Sequence, residues 1–151
     1  MTDDGTPDVS LAHETTISAV TGDDGRAVVA LWEAAGLTRP WNDPSADLRS
    51  ALETPTSTVL GARLPEGTLV GTVMVGYDGH RGWVYYLAVD EAQRGAGLGR
   101  ALMVAAEAWL VSQGAPKVQL MVRATNSAVI GFYAALGYTD QDCVVLGRRT
   151  D

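Results

Sequence analysis

The sequence predicts one α/β domain on a mixed, mostly antiparallel sheet flanked by helices, and three observations carry that reading. Residues 58–64 and 68–77 are apolar, β-branched runs joined by Pro65-Glu66-Gly67, which is the chemistry of an antiparallel hairpin. Residues 83–89, a glycine-rich turn, an apolar-striped helix and the alternating run 117–123 then follow as one right-handed parallel βαβ crossover. Finally, 151 residues suffice for one core without disulfide or metal support. Residues 1–12 are polar, acidic and aperiodic, so they read as a flexible tail ahead of a single domain over 13–151.

Taken in order, the β-branched run 15–20 predicts a first strand, and Gly22-Asp23-Asp24-Gly25 a turn that caps a helix. Val28, Leu31, Trp32 and Ala35 form that helix's stripe, and Gly36 ends it. Asp43 followed by Pro44 marks the start of a second helix, residues 44–53, with Leu48, Ala51 and Leu52 inward and Thr54-Pro55 as its stop. Trp41, between two prolines, either packs beneath its loop or touches a substrate. The strand 83–89 is apolar on both faces, so both should be covered. Leu98, Ala101, Leu102, Ala105 and Trp109 give the next helix its inward stripe, and Gly114-Ala115-Pro116 closes it. Asn126 or Ser127 caps a last helix with Val129, Ile130 and Tyr133 on neighbouring turns, Gly137 ends it, and residues 143–148 make a final strand.

Composition narrows the function. Eighteen acids against eleven bases give a net charge of -7, which opposes nucleic-acid binding and suits a cationic or amine-bearing partner; the alternative is that the acidity serves solubility. No apolar run reaches the roughly 20 residues of a membrane span, and the first dozen residues do not read as a signal peptide, so a cytoplasmic protein is expected. The single cysteine, Cys143, excludes an internal disulfide and reads as a small core residue, with a catalytic thiol as its alternative. No metal-ligand cluster is expected.

The stretch Gln93-Arg94-Gly95-Ala96-Gly97-Leu98-Gly99-Arg100-Ala101-Leu102 lies where strand gives way to helix. Glycines at every second position let amides turn inward, and a helix start adds unpaired N–H groups and the positive end of a dipole, so the turn suits phosphate. The spacing fails the Gly-x-Gly-x-x-Gly of dinucleotide sites, and Leu98-Gly99-Arg100 lacks the Gly-Lys-Ser/Thr ending of a nucleotide P-loop.

What remains, Arg94-Gly95-Ala96-Gly97-Leu98-Gly99-Arg100, resembles the pyrophosphate loop of the GNAT superfamily of N-acetyltransferases. Asn126, seven residues before Tyr133, followed by Gly137-Tyr138, resembles that family's second signature. Residues 39–44 and 71–82 look like the bacterial YpeA-type branch. The resemblance implies a sheet whose parallel strands splay to admit the cofactor, acetyl-CoA as donor, and direct attack by a primary amine through a tetrahedral intermediate. It implies that the amides from Arg94 to Gly99 hold the pyrophosphate, with Arg94 and Arg100 adding side-chain contacts. It implies further that Leu87, Ala88 and Val89 lend their edge to the pantetheine and polarise the thioester carbonyl, and that Asn126 donates to the pantetheine or serves only as a helix cap. Tyr133 is by the same resemblance the general acid, a phenol normally protonated at neutral pH; its alternative is a ring buried for packing.

The base is less marked, because no carboxylate lies within residues 85–89. Asp78 and His80 are the candidates, with Glu53 behind them and a water relay to a distant acid as the alternative; aspartate before glycine is also a common turn residue. Trp41, Asn42, Asp78 and His80 are the expected acceptor contacts. The acceptor is a small-molecule or peptide amine, such as a protein N-terminus, a lysine or a polyamine, and a homodimer is an expectation of the resemblance alone. Competing readings are acyl transfer through Cys143, a non-catalytic acyl-CoA sensor, and a protein-interaction domain using Trp41.

Overall fold

The structure, a computed structural model, describes residues 14–151; the expected acidic tail over 1–12 lies outside them. It divides into two compact units, one ending at Met121 and the other Val122–Asp151.

In the first unit, β1 (Thr16–Ala19) leads through a 3-10 turn (Gly22–Asp24) into α1 (Gly25–Ala34), and α2 (Pro44–Glu53) follows after a loop. Of the expected caps, Asp43 accepts from the amides of Ser45 and Ala46, Pro44 opens α2, and Gly36 takes a left-handed φ of 73° beyond the end of α1, whereas Asp24 at the start of α1 makes no side-chain cap because its carboxylate is taken by the Thr21 amide and Arg63. β2 (Ser57–Arg63) and β3 (Leu69–Tyr77) form the expected hairpin, closed by Gly67 at φ 105°. β4 (Gly82–Val89), a 3-10 turn (Glu91–Gln93), α3 (Leu98–Gln113) and β5 (Val118–Leu120) complete the unit.

The sheet order is β1-β2-β3-β4-β5, antiparallel except for the parallel β4–β5 pair, so the mixed, mostly antiparallel sheet and its crossover are as expected. α1 and α2 cover one face, where Val28, Trp32, Leu48 and Ala51 pack with Val20, Val59 and Ala88. α3 covers the other: a Cβ on Gly71 would stand 2.8 Å from the Cδ1 of Leu102, so glycine is what lets this helix approach β3. The buried stripe of α3 is Leu98, Leu102, Met103, Ala106 and Leu110. It is rotated from the expected one, because Ala101, Ala105 and Trp109 are only half-buried at its flank.

β4 departs from expectation more instructively. Its two faces are not both covered, since Tyr85 is 40% exposed. Its pairing with β5 extends over three residues only, Gly82–Val84 with Val118–Leu120, because β5 is shorter than the alternating run 117–123. From Tyr85 to Val89 the outer edge of β4 has no strand beside it among the described residues.

The second unit contains α4 (Ser127–Ala135), capped by Asn126 and left through Leu136 and Gly137 at φ 96°. Tyr133 is buried, whereas Ile130 is 43% exposed, so the three apolar side chains expected on neighbouring turns of α4 are not equally covered. The final strand expected at 143–148 is absent: that stretch has no regular structure, and Val144, Val145 and Leu146 are exposed. Cys143 is exposed too, which corrects its reading as a core residue; with no strand formed, nothing there buries it.

Candidate functional site

The site is built where β4 ends. Asp90 caps the 3-10 turn by accepting from the amide of Ala92, and the chain leaves that turn at Arg94. The Nε of Arg94 donates back to the carbonyl of Val89 at 3.4 Å, tying the exposed loop to the strand end. Gly95 and Gly97 take φ of 88° and 83°, a region in which a side chain costs roughly 1–2 kcal/mol. A Cβ at either position would meet nothing within 4 Å, so backbone conformation rather than crowding requires these glycines.

Gly97 is the N-cap of α3 and has no side chain with which to cap it. The first helical turn therefore begins with the amides of Leu98, Gly99 and Arg100 lacking an acceptor among the described residues, Ala101 being the first to find one, in the carbonyl of Gly97. Arg94 and Arg100 are exposed beside them, and Ala96 lies half-buried in the bend between the two left-handed glycines. Open amides, a 16-residue helix dipole and two guanidinium groups suit a multiply charged anion such as a pyrophosphate. Leu87, Ala88 and Val89 lead into this turn along the unpaired edge of β4, so the residues expected to hold pantetheine and pyrophosphate form one continuous stretch.

The other expected site residues lie elsewhere. Asp78 sits in the β3–β4 turn, at the end of β4 away from the glycine loop, where its carboxylate accepts from the amides of His80 and Arg81 at 2.8 and 2.7 Å and from the indole of Trp83 at 3.2 Å. The two backbone donors hold its pKa below the ordinary value, so it is a turn residue that clings to its charge. His80 is exposed on the same turn. Trp41 is 56% exposed, which corrects the reading that it packs beneath its loop, and Asn42 is exposed next to it.

In the second unit, the Oδ1 of Asn126 accepts from the amide of Val129 at 3.2 Å, so its capping function is realised. Tyr133 meets the rings of Phe132 and Tyr138 edge-on at centroid distances of 5.0 and 5.8 Å. Burial pushes its phenol up to about 12, which keeps the hydroxyl protonated.

One constellation has no counterpart in the sequence reading. In the β3–β4 register Thr72 faces Ala88 and Met74 faces Tyr85, so Tyr86 and Leu87 together oppose the single residue Val73. This is a β-bulge, and Tyr86 within it has φ 53°, a conformation uncommon for a residue with a bulky side chain. Its ring stacks on Trp32 at 3.8 Å and 10°, and its hydroxyl donates to Asp47 Oδ2 at 2.8 Å. Burial, with the Asp47 carboxylate, pushes the Tyr86 phenol up to about 12, so this donor keeps its proton. Nothing in the run Trp83-Val84-Tyr85-Tyr86-Leu87 signals which tyrosine leaves the regular strand, because the signal lies in the partners on α1, α2 and β3.

The mixed sheet, with its one parallel pair, opens beside a helix start whose geometry suits an anion. The description "Acetyltransferase (GNAT) family" matches residues 26–138. An acetyltransferase of Pectobacterium atrosepticum is 48% identical over 127 residues, 84% of this chain and 89% of that protein. One of Yersinia pseudotuberculosis is 47% identical over the same shares. Among solved structures, the aminoglycoside N-acetyltransferase AAC(6')-Iy in complex with a CoA-containing bisubstrate analogue superposes with a TM-score of 0.76 at 16% identity, covering 91% of this chain and 99% of that one. A ribosomal-protein-alanine N-acetyltransferase from Brucella melitensis gives 0.72 at 20% identity, covering 89% and 99%; these two likenesses concern the fold. The chain belongs to the GNAT family and is an N-acetyltransferase of that type.

Proposed function

We propose that this enzyme moves an acetyl group from acetyl-CoA to a primary amine by direct attack. The observation that supports this most is the edge of β4 from Tyr85 to Val89, unpaired among the described residues, which runs into a turn whose helix-start amides have no acceptor among them. Acetyl-CoA supplies an acetyl group activated as a thioester. In this reading the amides from Arg94 to Gly99 and the start of α3 bind the pyrophosphate, with Arg94 and Arg100 beside them, and the free edge at Leu87, Ala88 and Val89 orients the pantetheine through backbone groups. Tyr133, which burial keeps protonated at neutral pH, holds a proton at its hydroxyl for the departing thiolate, and Asn126 donates to the pantetheine. Asp78 is occupied as a turn residue, so of that pair His80 is the proposed base, with Glu53 behind it and a water relay to a distant acid as the alternative.

The acceptor fits a cationic amine, either small or at the end of a peptide, because the chain carries a net charge of -7. Neighbours of the fold named for an aminoglycoside and for a ribosomal-protein alanine both act on amines, in keeping with that reading. Trp41 and Asn42, exposed ahead of α2, are the acceptor contacts in this proposal. Calorimetric titration with CoA, followed by a panel of amines assayed for acetyl-CoA-dependent thiol release, tests it. Binding together with release that depends on amine is expected. Binding without release on any amine would make the chain a sensor, and no binding would end the reading.

A further inference from the structure

The β4 bulge is held from three sides by side chains that the reaction itself does not require. Thr72, fully buried on β3, accepts from the Nε1 of Trp32 at 2.9 Å and donates to the carbonyl of Tyr86 at 3.2 Å. Trp32, fully buried on α1, stacks on the Tyr86 ring, and Asp47 on α2 receives the Tyr86 hydroxyl. Carbonyl, ring and hydroxyl of one residue are thus each fixed by a different element. Among the described residues only Tyr86 and Asp142 are non-glycines with positive φ, and Tyr86 alone of the two lies in a strand. Such a conformation persists where its surroundings over-determine it.

The bulge also reverses the strand. Val84 faces Val75 and Ala88 faces Thr72. Val75 and Thr72 are three apart on β3 and point to opposite faces, so Val84 and Ala88, four apart, do so too. Without the extra residue they would share a face. The inversion falls within the edge that has no strand beside it among the described residues, Tyr85 to Val89, and there Tyr86 and Leu87 drop out of the β3 register while Tyr85, Ala88 and Val89 keep it.

We infer that Asp47, Trp32 and Thr72 are positioning residues that hold Tyr86 left-handed, so that the β4 backbone beyond it presents its polar groups to the acyl end of the donor. This rests on the proposed docking of acetyl-CoA along β4, and it assigns the acyl-end geometry to α1 and α2 rather than to the glycine turn. Two conservative variants separate the contacts: Tyr86→Phe removes only the hydroxyl bond to Asp47, and Thr72→Val removes the bridge from Trp32 to the Tyr86 carbonyl at nearly constant volume.

Amide hydrogen exchange of the isotope-labelled free protein reads the bulge directly, and calorimetry with CoA and with acetyl-CoA reads its consequence. In each variant, exchange along residues 85–88 should quicken at least tenfold while β2 stays protected. Acetyl-CoA affinity should fall about tenfold while CoA affinity, set by the glycine turn, stays within twofold. Unchanged exchange in both variants overturns the network as keeper of the bulge. Quickened exchange with acetyl-CoA affinity unchanged overturns its positioning function, since a merely structural network would give that result. Should Thr72→Val fail to fold, Tyr86→Phe alone decides between these outcomes. Failure of the wild-type chain to bind CoA would sink the docking reading itself, which separates that failure from the others.

Discussion

The phenol of Tyr133 is pushed up to about 12 by burial, so it remains a proton donor across the range in which an enzyme operates. Tyr133→Phe keeps the ring and its edge contacts with Phe132 and Tyr138 while removing that proton. Turnover should fall at least tenfold with CoA affinity within twofold of wild type, checked by steady-state kinetics and calorimetry; equal turnover would refute the acid function. The wild-type profile should lose no activity to tyrosine ionisation below about pH 10, because a raised pKa moves the loss of the proton to more alkaline solution. Tyr133 is a candidate because its offset to Asn126, a local pattern, resembles the family's second signature. Asp47 and Tyr86 could not be found in this way, because a contact across 39 residues leaves no mark in either one's neighbourhood.

Elements were legible where a local rule sets them. α2 falls on the residues expected of it because Asp43, Pro44 and the Thr54-Pro55 stop act within a turn of its ends. The strand expected over 143–148 failed for the opposite reason: a run such as Val144-Val145-Leu146 marks a segment able to pair, whereas pairing needs a partner that sequence does not specify. The glycine turn allows a test of backbone against side chain. Gly97→Ala, with φ 83° and open space around it, should cost about 1 kcal/mol and weaken CoA several-fold, while Gly97→Asn should recover part of the affinity because asparagine tolerates the left-handed region. Equal affinities in denaturation-controlled titrations would remove the turn from CoA binding.

The junction of β1, α1 and β2 is pinned by Asp24, which accepts from the amide of Thr21 and pairs with Arg63 at 2.6 Å. The Thr21 amide, then Arg63, lower its pKa, so the folded state favours the carboxylate. The resulting stability is present above the unfolded value near 3.8 and is lost as pH falls through the lower folded one. Asp24→Asn should therefore destabilise by about 1 kcal/mol at pH 7, discounted for partial exposure, and the difference should shrink in acid. Denaturant midpoints at pH 7 and pH 3 check it; a difference independent of pH would assign the loss to geometry instead.

For the molecule as a whole, charge is the property that sequence conveys best and fold conveys least. Eighteen acids against eleven bases set a field that any acceptor crosses before reaching β4, whatever the local contacts are. An attractive field raises encounter rates for cations and is screened within about 10 Å at 0.1 M salt. If the acidity serves acceptor capture, kcat/KM for a polyamine should fall several-fold between about 50 and 500 mM salt, and fall less for a monoamine, because steering scales with the charge of the acceptor. KM for acetyl-CoA should not rise in parallel with that fall, since the donor is an anion that the same field repels. Steady-state kinetics at four salt concentrations distinguish these cases: an acceptor term independent of salt would leave the acidity a matter of solubility, and the choice of amine would then rest on short-range contacts such as Trp41 and Asn42.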